Sequence, residues 1–295
     1  MANPSYIGRF APSPTGFLHF GSLVSALASY LDARKNAGHW LVRIEDLDPP
    51  REVPGATKVI LKQLENHGLT WDGQILYQSN QLETYSEILQ QLQHSNLTYH
   101  CRCSRQRLKS LKGVYDGSCA LEELPENETA VRVRVAKSNI QFNDLIIGNY
   151  RQNITEEVGD FIIKRRDGLF SYQLAVVIDD EQQKINHVIR GADLLDSTPR
   201  QIYLQQCLGY TTPRYGHLPI AVNEQGEKLS KQNLAAELTK GNEVHNLIQG
   251  LQWLNQAPPK ALRQASVSEI IHWATLNWNL NAVPKQPHAP APKGF

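Results

Sequence analysis

The sequence predicts an α/β fold: a parallel sheet with helices on its faces, interrupted by a small cysteine-containing unit and closed by a short helical subdomain. Three observations carry this. Tyr6 to Phe10 and Trp40 to Glu45 are short apolar runs flanking an Ala-rich run that starts near Gly21, the pattern of a βαβ unit. From Tyr99 onward a Cys-rich segment, an acidic loop from Glu122 to Glu128 and the alternation Val131-Arg-Val-Arg-Val135 mark antiparallel strands. His187-Val-Ile-Arg190 then reads as the return to the parallel sheet.

The helix after Gly21 runs through Leu23 to Leu31, and Asp48-Pro-Pro-Arg-Glu52 is the turn that closes the unit. Ala56 to Gly68 carries Val59, Ile60, Leu61, Leu64 and His67 at helical spacing, and Leu82 to Leu97 reads likewise. Asp160 to Phe170 is a hairpin around Asp167-Gly168 that leads into a strand from Gln173 to Asp179. Asp196-Ser-Thr-Pro-Arg-Gln201 places an N-cap and a first-turn proline ahead of a helix. Two further helices follow, Glu243 to Asn255 and Ser266 to Trp278. The tail after them, rich in Pro, Ala and Lys, is expected not to order. The expected units are 1–97 and 188–240 as two halves of one main domain, 98–187 as an insertion, and 241–295 as the helical end.

A chain of 295 residues is long enough for a large core or for two to three small domains. No apolar run approaches the length that spans a bilayer, and no basic segment followed by an apolar one opens the chain, so no membrane is expected. Lys plus Arg (30) nearly equals Asp plus Glu (29), so any RNA contact must come from a local patch. The run Arg102, Arg105, Arg107, Lys109 and Lys112 is the candidate. Four cysteines make no disulfide framework, which points to a reducing, cytoplasmic setting, and Cys207 reads as a buried structural thiol.

Two segments carry the chemistry. Arg9-Phe-Ala-Pro-Ser-Pro-Thr-Gly16, followed by Leu18-His19-Phe-Gly21-Ser22, is a stiff, glycine-ended turn feeding a helix N-terminus. Unpaired N–H groups and a positive dipole end attract phosphate there. His19 adds a donor, and Gly21 leaves room for an adenine ring or ribose. Some two hundred residues later, Lys228-Leu-Ser230-Lys231-Gln232 supplies positive charge to a triphosphate. Together they resemble the signature motifs of the class I aminoacyl-tRNA synthetases, glutamyl branch. His19-Phe-Gly-Ser22 matches the HIGH signature with Ser22 in place of its second His, one donor for another, and Lys228 to Gln232 matches the KMSKS loop with Gln232 for its final Ser. The resemblance covers about residues 5 to 240 and implies a Rossmann-like sheet. It also implies ATP bound with Mg²⁺ by His19, Gly21, Ser22, Lys228, Ser230 and Lys231, with His19, Lys228 and Lys231 catalytic.

An enzyme that activates an acidic amino acid must hold two carboxylates and an ammonium group. Arg9 and Arg190 are bidentate carboxylate partners, Glu45 the ammonium partner and Tyr172 a wall with a hydroxyl. The resemblance implies that these residues, with Ala11 and Ser13, line a pocket for L-glutamate and that Arg190 reads its side-chain carboxylate.

Cys101-x-Cys103 and Cys119 are three soft ligands, and tetrahedral zinc needs a fourth, for which Tyr115 is the candidate and His100 the alternative. No catalytic zinc pattern accompanies them, so one structural zinc per chain is expected. A Cys-x-Cys, Tyr-x-x-x-Cys module is similar to that of short relatives of glutamyl-tRNA synthetase. Full-length synthetases continue past the second motif into a helical anticodon-binding body, whereas 64 residues follow Lys231 here and no such domain is expected. The chain thus resembles the short paralogues that activate glutamate without tRNA and transfer it to the queuosine at the wobble position of tRNA(Asp). The implied partners are ATP, L-glutamate and a queuosine-bearing anticodon stem-loop, met by a monomer. Two alternatives stand beside this: a truncated glutamyl-tRNA synthetase charging a tRNA 3′ end, and a non-catalytic RNA-binding zinc module. Intact His19, Lys228 and Lys231 argue against the latter.

Overall fold

The computed structural model describes residues 6–111, 113–223, 225–229 and 238–295. Strand β1 (Ile7–Phe10), helix α1 (Phe20–Lys35) and strand β2 (His39–Ile44) form the expected βαβ unit, with Arg9 opposite Leu41 in a parallel register. Apolar side chains surround α1 because it lies in the middle of the main core, where Leu23, Leu27 and Leu31 are wholly inaccessible. The Pro-Pro segment winds into one 3-10 turn, Pro49–Arg51, before α2 (Ala56–Asn66). Strand β3 (Leu76–Tyr77) and α3 (Leu82–His94) complete the first half.

The chain then leaves the main sheet. β4 (Thr98–Cys101), a short α4 (Arg105–Ser110) and β5 (Ala130–Val133) are followed by the hairpin β6 (Asn139–Asp144) and β7 (Gly148–Asn153). A single turn, α5 (Ile154–Glu157), leads to β8 (Ile162–Lys164). β4, β5 and β8 make an antiparallel three-stranded sheet, as the Val-Arg alternation requires. Lys164 pairs with Phe170 across the Asp167-Gly168 turn.

One expectation fails here: Gln173 to Asp179 is not a strand but lies within helix α6 (Tyr172–Gln182). Leu174 to Asp180 is buried without interruption, so the run shows neither the period of a helix nor that of a strand. Ser171 decides the matter locally, its hydroxyl accepting from the Leu174 N–H at the helix start.

β9 (His187–Gly191) returns to the main sheet and pairs parallel to β1. A 3-10 segment, Ala192–Ser197, precedes α7 (Thr198–Leu208), and β10 (Arg214–Leu218) lies parallel to β9. The main sheet is therefore five parallel strands in the order β10-β9-β1-β2-β3. β11 (Ile220–Val222), α8 (Glu243–Trp253) and α9 (Val267–Asn277) follow, the two helices close to their expected bounds, and a Ser266/Glu269 capping box starts α9. Both helices share the core of α1.

The tail also departs from expectation. β12 (His288–Pro290) pairs parallel to β11, the Trp253 indole donates to the Pro290 carbonyl at 2.8 Å, and the Phe295 ring sits 4.5 Å from that of Phe20. Proline-rich composition argues against a packed core, but proline is tolerated on an edge strand that needs few N–H donors. Deleting residues 284–295 is expected to lower stability by about 2–4 kcal/mol, because Phe20 loses its cover. Denaturant melts check this, and an unchanged midpoint would contradict it.

Candidate active site

A cavity of about 450 Å³ opens between the C-terminal ends of β1 and β9 and the N-terminus of α1. Parallel sheets place ligand sites there because loops diverge at a point where the strand order reverses. All ten predicted substrate and nucleotide residues that the structure describes line this cavity. Arg9, Ala11, Ser13, Glu45, Tyr172 and Arg190 form one part; His19, Gly21, Ser22 and Lys228 form the other. Ser230, Lys231 and Gln232 lie outside the described residues, as does Lys112.

The side expected to hold the nucleotide is built by α1. His19 is its N-cap, and the first turn carries no acidic residue, so the positive end of the helix faces the cavity unopposed. A Cβ on Gly21 would come within 3.1 Å of Cε1 of His19, so glycine lets the imidazole fold over the first turn. Ser22 was expected to supply a donor in place of an imidazole. Its hydroxyl instead accepts from the His19 N–H at 2.8 Å and donates to the His19 carbonyl at 2.9 Å, closing the turn. Lys228 bridges to Val222 in β11, and its ammonium pairs with Asp193 at 2.5 Å. A side chain on Gly191 would collide with the Asp193 carboxylate, so that glycine permits the pairing. Sequence reasoning missed Asp193, which sits in the Arg-Gly-Ala-Asp run directly after β9.

The side expected to hold the amino acid is a buried charge cluster. Arg43 of β2 is completely inaccessible and lies 2.8 Å from Asp180 and 3.6 Å from Asp179, both on α6, and 3.5 Å from Glu45. Arg9 of β1 reaches the same Asp180 through Nε (3.3 Å) and Nη2 (3.4 Å). Burial opposes ionisation of Asp180, but the two guanidinium groups win and hold its carboxyl below the usual range. Glu45 shows the opposite balance: burial outweighs Arg43 and Arg9 and pushes its carboxyl up to about 7. Arg43, Asp179 and Asp180 were not singled out from sequence. The signal was present in Asp179 and Asp180, which close the apolar run Leu174 to Ile178.

Both arginines expected to be bidentate carboxylate partners are partly engaged. The Nε/Nη2 edge of Arg9 belongs to Asp180, which leaves Nη1 for a ligand. Arg190 donates from Nε to His217 (3.2 Å), from Nη2 to Thr198 and Gln201 (both 2.8 Å), and from Nη1 to the Tyr172 hydroxyl (3.2 Å). Of its five donors, one Nη1 proton remains. Because Tyr172 accepts from Arg190, its own proton is left to donate, and burial raises its pKa so that it stays protonated. Arg190 and Tyr172 therefore offer one N–H and one O–H side by side.

The three cysteine sulfurs lie within 4.8 Å of one another. Cys103 and Cys119 are 3.6 Å apart, and the Tyr115 hydroxyl is 3.5 Å from the sulfurs of both Cys101 and Cys103. Tetrahedral bonds of about 2.3 Å to sulfur and 2.0 Å to oxygen put ligand atoms roughly 3.5–3.8 Å apart, so this group fits a metal ion. The Cys119 N–H also donates to the Tyr115 oxygen at 3.1 Å. His100, the alternative ligand, is turned to Thr129 at 2.9 Å. In the basic run, Arg102 pairs with Glu122 and Arg107 with Asp116. Cys207 is only half-buried, against the expectation, although burial still raises its pKa.

A parallel sheet with a helix terminus beside an acid-and-arginine pocket fits the class I tRNA synthetases that the two sequence motifs resemble. The family model "tRNA synthetases class I (E and Q), catalytic domain" matches residues 7–243, and the chain belongs to that family of ligases. It is 50% identical over 281 residues to the glutamyl-Q tRNA(Asp) synthetase of Pseudomonas fluorescens, covering 95% of this chain and 94% of that one. A Shigella flexneri protein of the same name is 50% identical over 285 residues, with 97% and 92% covered. The crystal structure of a glutamate tRNA ligase from Elizabethkingia meningosepticum in complex with its amino acid superposes with a TM-score of 0.81 at 25% identity. It spans 98% of this chain and 67% of that one.

The cysteine cluster makes a direct prediction. Protein purified without chelator is expected to carry a metal ion that Cys103→Ser largely loses, whereas Tyr115→Phe keeps a weakened site, since three soft ligands dominate one hard one. Elemental analysis decides, and equal metal content in native protein and Cys103→Ser would rule the cluster out.

Proposed function

We propose that the protein activates L-glutamate with ATP, without tRNA, and transfers it to the queuosine at the wobble position of tRNA(Asp). The observation that carries this reading is one cavity shared by a helix N-terminus with its lysine and a pocket with two arginines and a buried acid. Relatives about 50% identical over 95% of the chain bear the name glutamyl-Q tRNA(Asp) synthetase, which supports the choice of acceptor.

In this mechanism Glu45 pairs with the substrate ammonium, Arg9 meets one carboxylate, and the Arg190/Tyr172 donors meet the other. Ala11 and Ser13 line the same wall. The α-carboxylate attacks the α-phosphorus, the bond to the bridging oxygen breaks, and pyrophosphate leaves, giving the glutamyl-adenylate. His19, Gly21, Ser22 and the α1 terminus hold the nucleotide, while Lys228, Ser230 and Lys231 meet the phosphates. Mg²⁺ carried with ATP would supply further neutralisation of phosphate charge. Catalysis is positioning and charge stabilisation, so no nucleophilic side chain is required. Zinc on Cys101, Cys103, Tyr115 and Cys119 would organise the inserted unit. Arg105 and Lys109 are its candidates for RNA phosphates, since Arg102 and Arg107 are tied to acids.

Glu45 must be ionised to pair with an ammonium, and its carboxyl titrates at about 7. The KM for glutamate is therefore expected to rise as pH falls below that value, approaching about tenfold per pH unit. Glutamate-dependent pyrophosphate exchange measured across pH checks this, and a flat KM would remove Glu45 from the ammonium site.

The acceptor is tested with a queuosine-bearing tRNA(Asp) anticodon stem-loop, ATP and labelled glutamate. The fragment is expected to accept label although it has no acceptor stem. Failure on the fragment, with efficient charging of full-length tRNA(Glu), would replace this reading with 3′-end aminoacylation.

A further inference from the structure

We propose that Asp144 and His217 form a positioning pair that orients Arg190 and so sets the preference for a carboxylate over an amide in the ligand side chain. This rests on the reading of the cavity as a glutamate site. Arg190 is 5% exposed, yet its direct partners are all neutral: an imidazole, two hydroxyls, an amide and the Leu194 carbonyl. The carboxylate in its hydrogen-bonded chain is Asp144, one imidazole away.

The ring proton can be assigned. Arg190 Nε is a donor only, so His217 Nε2 must be the acceptor, and the proton sits on Nδ1, donated to Asp144 Oδ2 at 2.6 Å. Burial pushes the His217 pKa below its ordinary value, in keeping with a neutral ring. Asp144 is itself immobilised: its Oδ1 accepts from the N–H groups of Ile146, Ile147 and His217 at 3.0, 3.0 and 3.1 Å. Both side chains of the pair are completely inaccessible, so neither touches ligand.

The arrangement answers a specific difficulty. A carboxylate placed directly on Arg190 would occupy donors and compete with the ligand, as Asp180 does on Arg9. Relayed through His217, the negative charge favours the guanidinium without consuming its Nη1 proton. That proton and the Tyr172 hydroxyl then form a two-donor edge, which a carboxylate satisfies and an amide NH₂ opposes.

In Asp144→Asn, Oδ1 keeps its backbone partners and an NH₂ faces Nδ1, which drives the ring proton to Nε2, against the Arg190 Nε–H. Pyrophosphate exchange is expected to show a glutamate KM raised about tenfold or more and lower selectivity for glutamate over glutamine, with the ATP KM within about threefold. In the His217→Gln background, whose amide oxygen accepts from Arg190 without a tautomer to flip, Asp144→Asn should add little. An unchanged glutamate KM in Asp144→Asn, or an equal loss in both backgrounds, overturns the proposal. Should Asp144→Asn not fold, His217→Leu against His217→Gln decides: Leu should raise the glutamate KM several-fold more than Gln, and equal values overturn the inference. Native protein without glutamate-dependent exchange would overturn the functional reading and this inference with it; exchange in native protein with unaffected variants would overturn this inference alone.

Discussion

Arg43 lies at zero exposure between the parallel sheet and α6, and its pairing with Asp179 and Asp180 is the constraint on which the rest of the site depends. Two acids on consecutive helical residues meet two arginines on adjacent strands, Arg9 and Arg43. Burying such charges costs several kcal/mol each, and removing one partner leaves the others uncompensated. The cluster is therefore weak as a source of stability but strict about geometry. It fixes the helix against β1 and β2, and thereby fixes Arg9 and Glu45 at the cavity wall. Glu45, like Asp179, is an acid in which burial outweighs pairing, so the carboxyl beside Arg9 at the cavity wall is poised near neutrality.

The second constraint is the start of α1. His19 caps a helix whose first turn is closed by Ser22 and carries no acid, so backbone donors and dipole are directed at the nucleotide half of the cavity. This half depends on distant chain. Leu18 is held by Gln63, which also binds the Leu238 carbonyl, and Lys228 bridges to Val222 of β11, whose edge the tail covers through β12. The tail thus contributes to the scaffold under Lys228, a role invisible in its composition.

The inserted unit works by different physics. Its small cluster of Tyr99, Cys101, Tyr115 and Cys119 is too small to resemble the two larger cores, and Arg132 stacks on the Tyr115 ring at 3.8 Å. A metal held by the three sulfurs would supply the cross-link that a larger core supplies elsewhere. Such a metal would be structural, and none of its ligands lines the cavity where the chemistry is proposed.

The parallel sheet, the inserted antiparallel unit and most helices were legible in the sequence, because those rest on local periods and helix-start signals such as Ser197-Thr-Pro199. Ten residues that it singled out line one cavity, because the two motifs combine charge, glycine and helix-start signals that random loops do not share. What it misassigned was the run Gln173 to Asp179, where burial on every side erases periodicity, and the tail, where edge pairing depends on a partner some seventy residues away. What it could not contain was the state of each charged group. Asp180 on Arg9, Asp193 on Lys228 and the chain from Asp144 through His217 to Arg190 join residues far apart in sequence. Only the tertiary structure decides which donors of an arginine remain for a ligand, because hydrogen-bond capacity is finite and is allotted by neighbours that the fold, not the chain order, brings together.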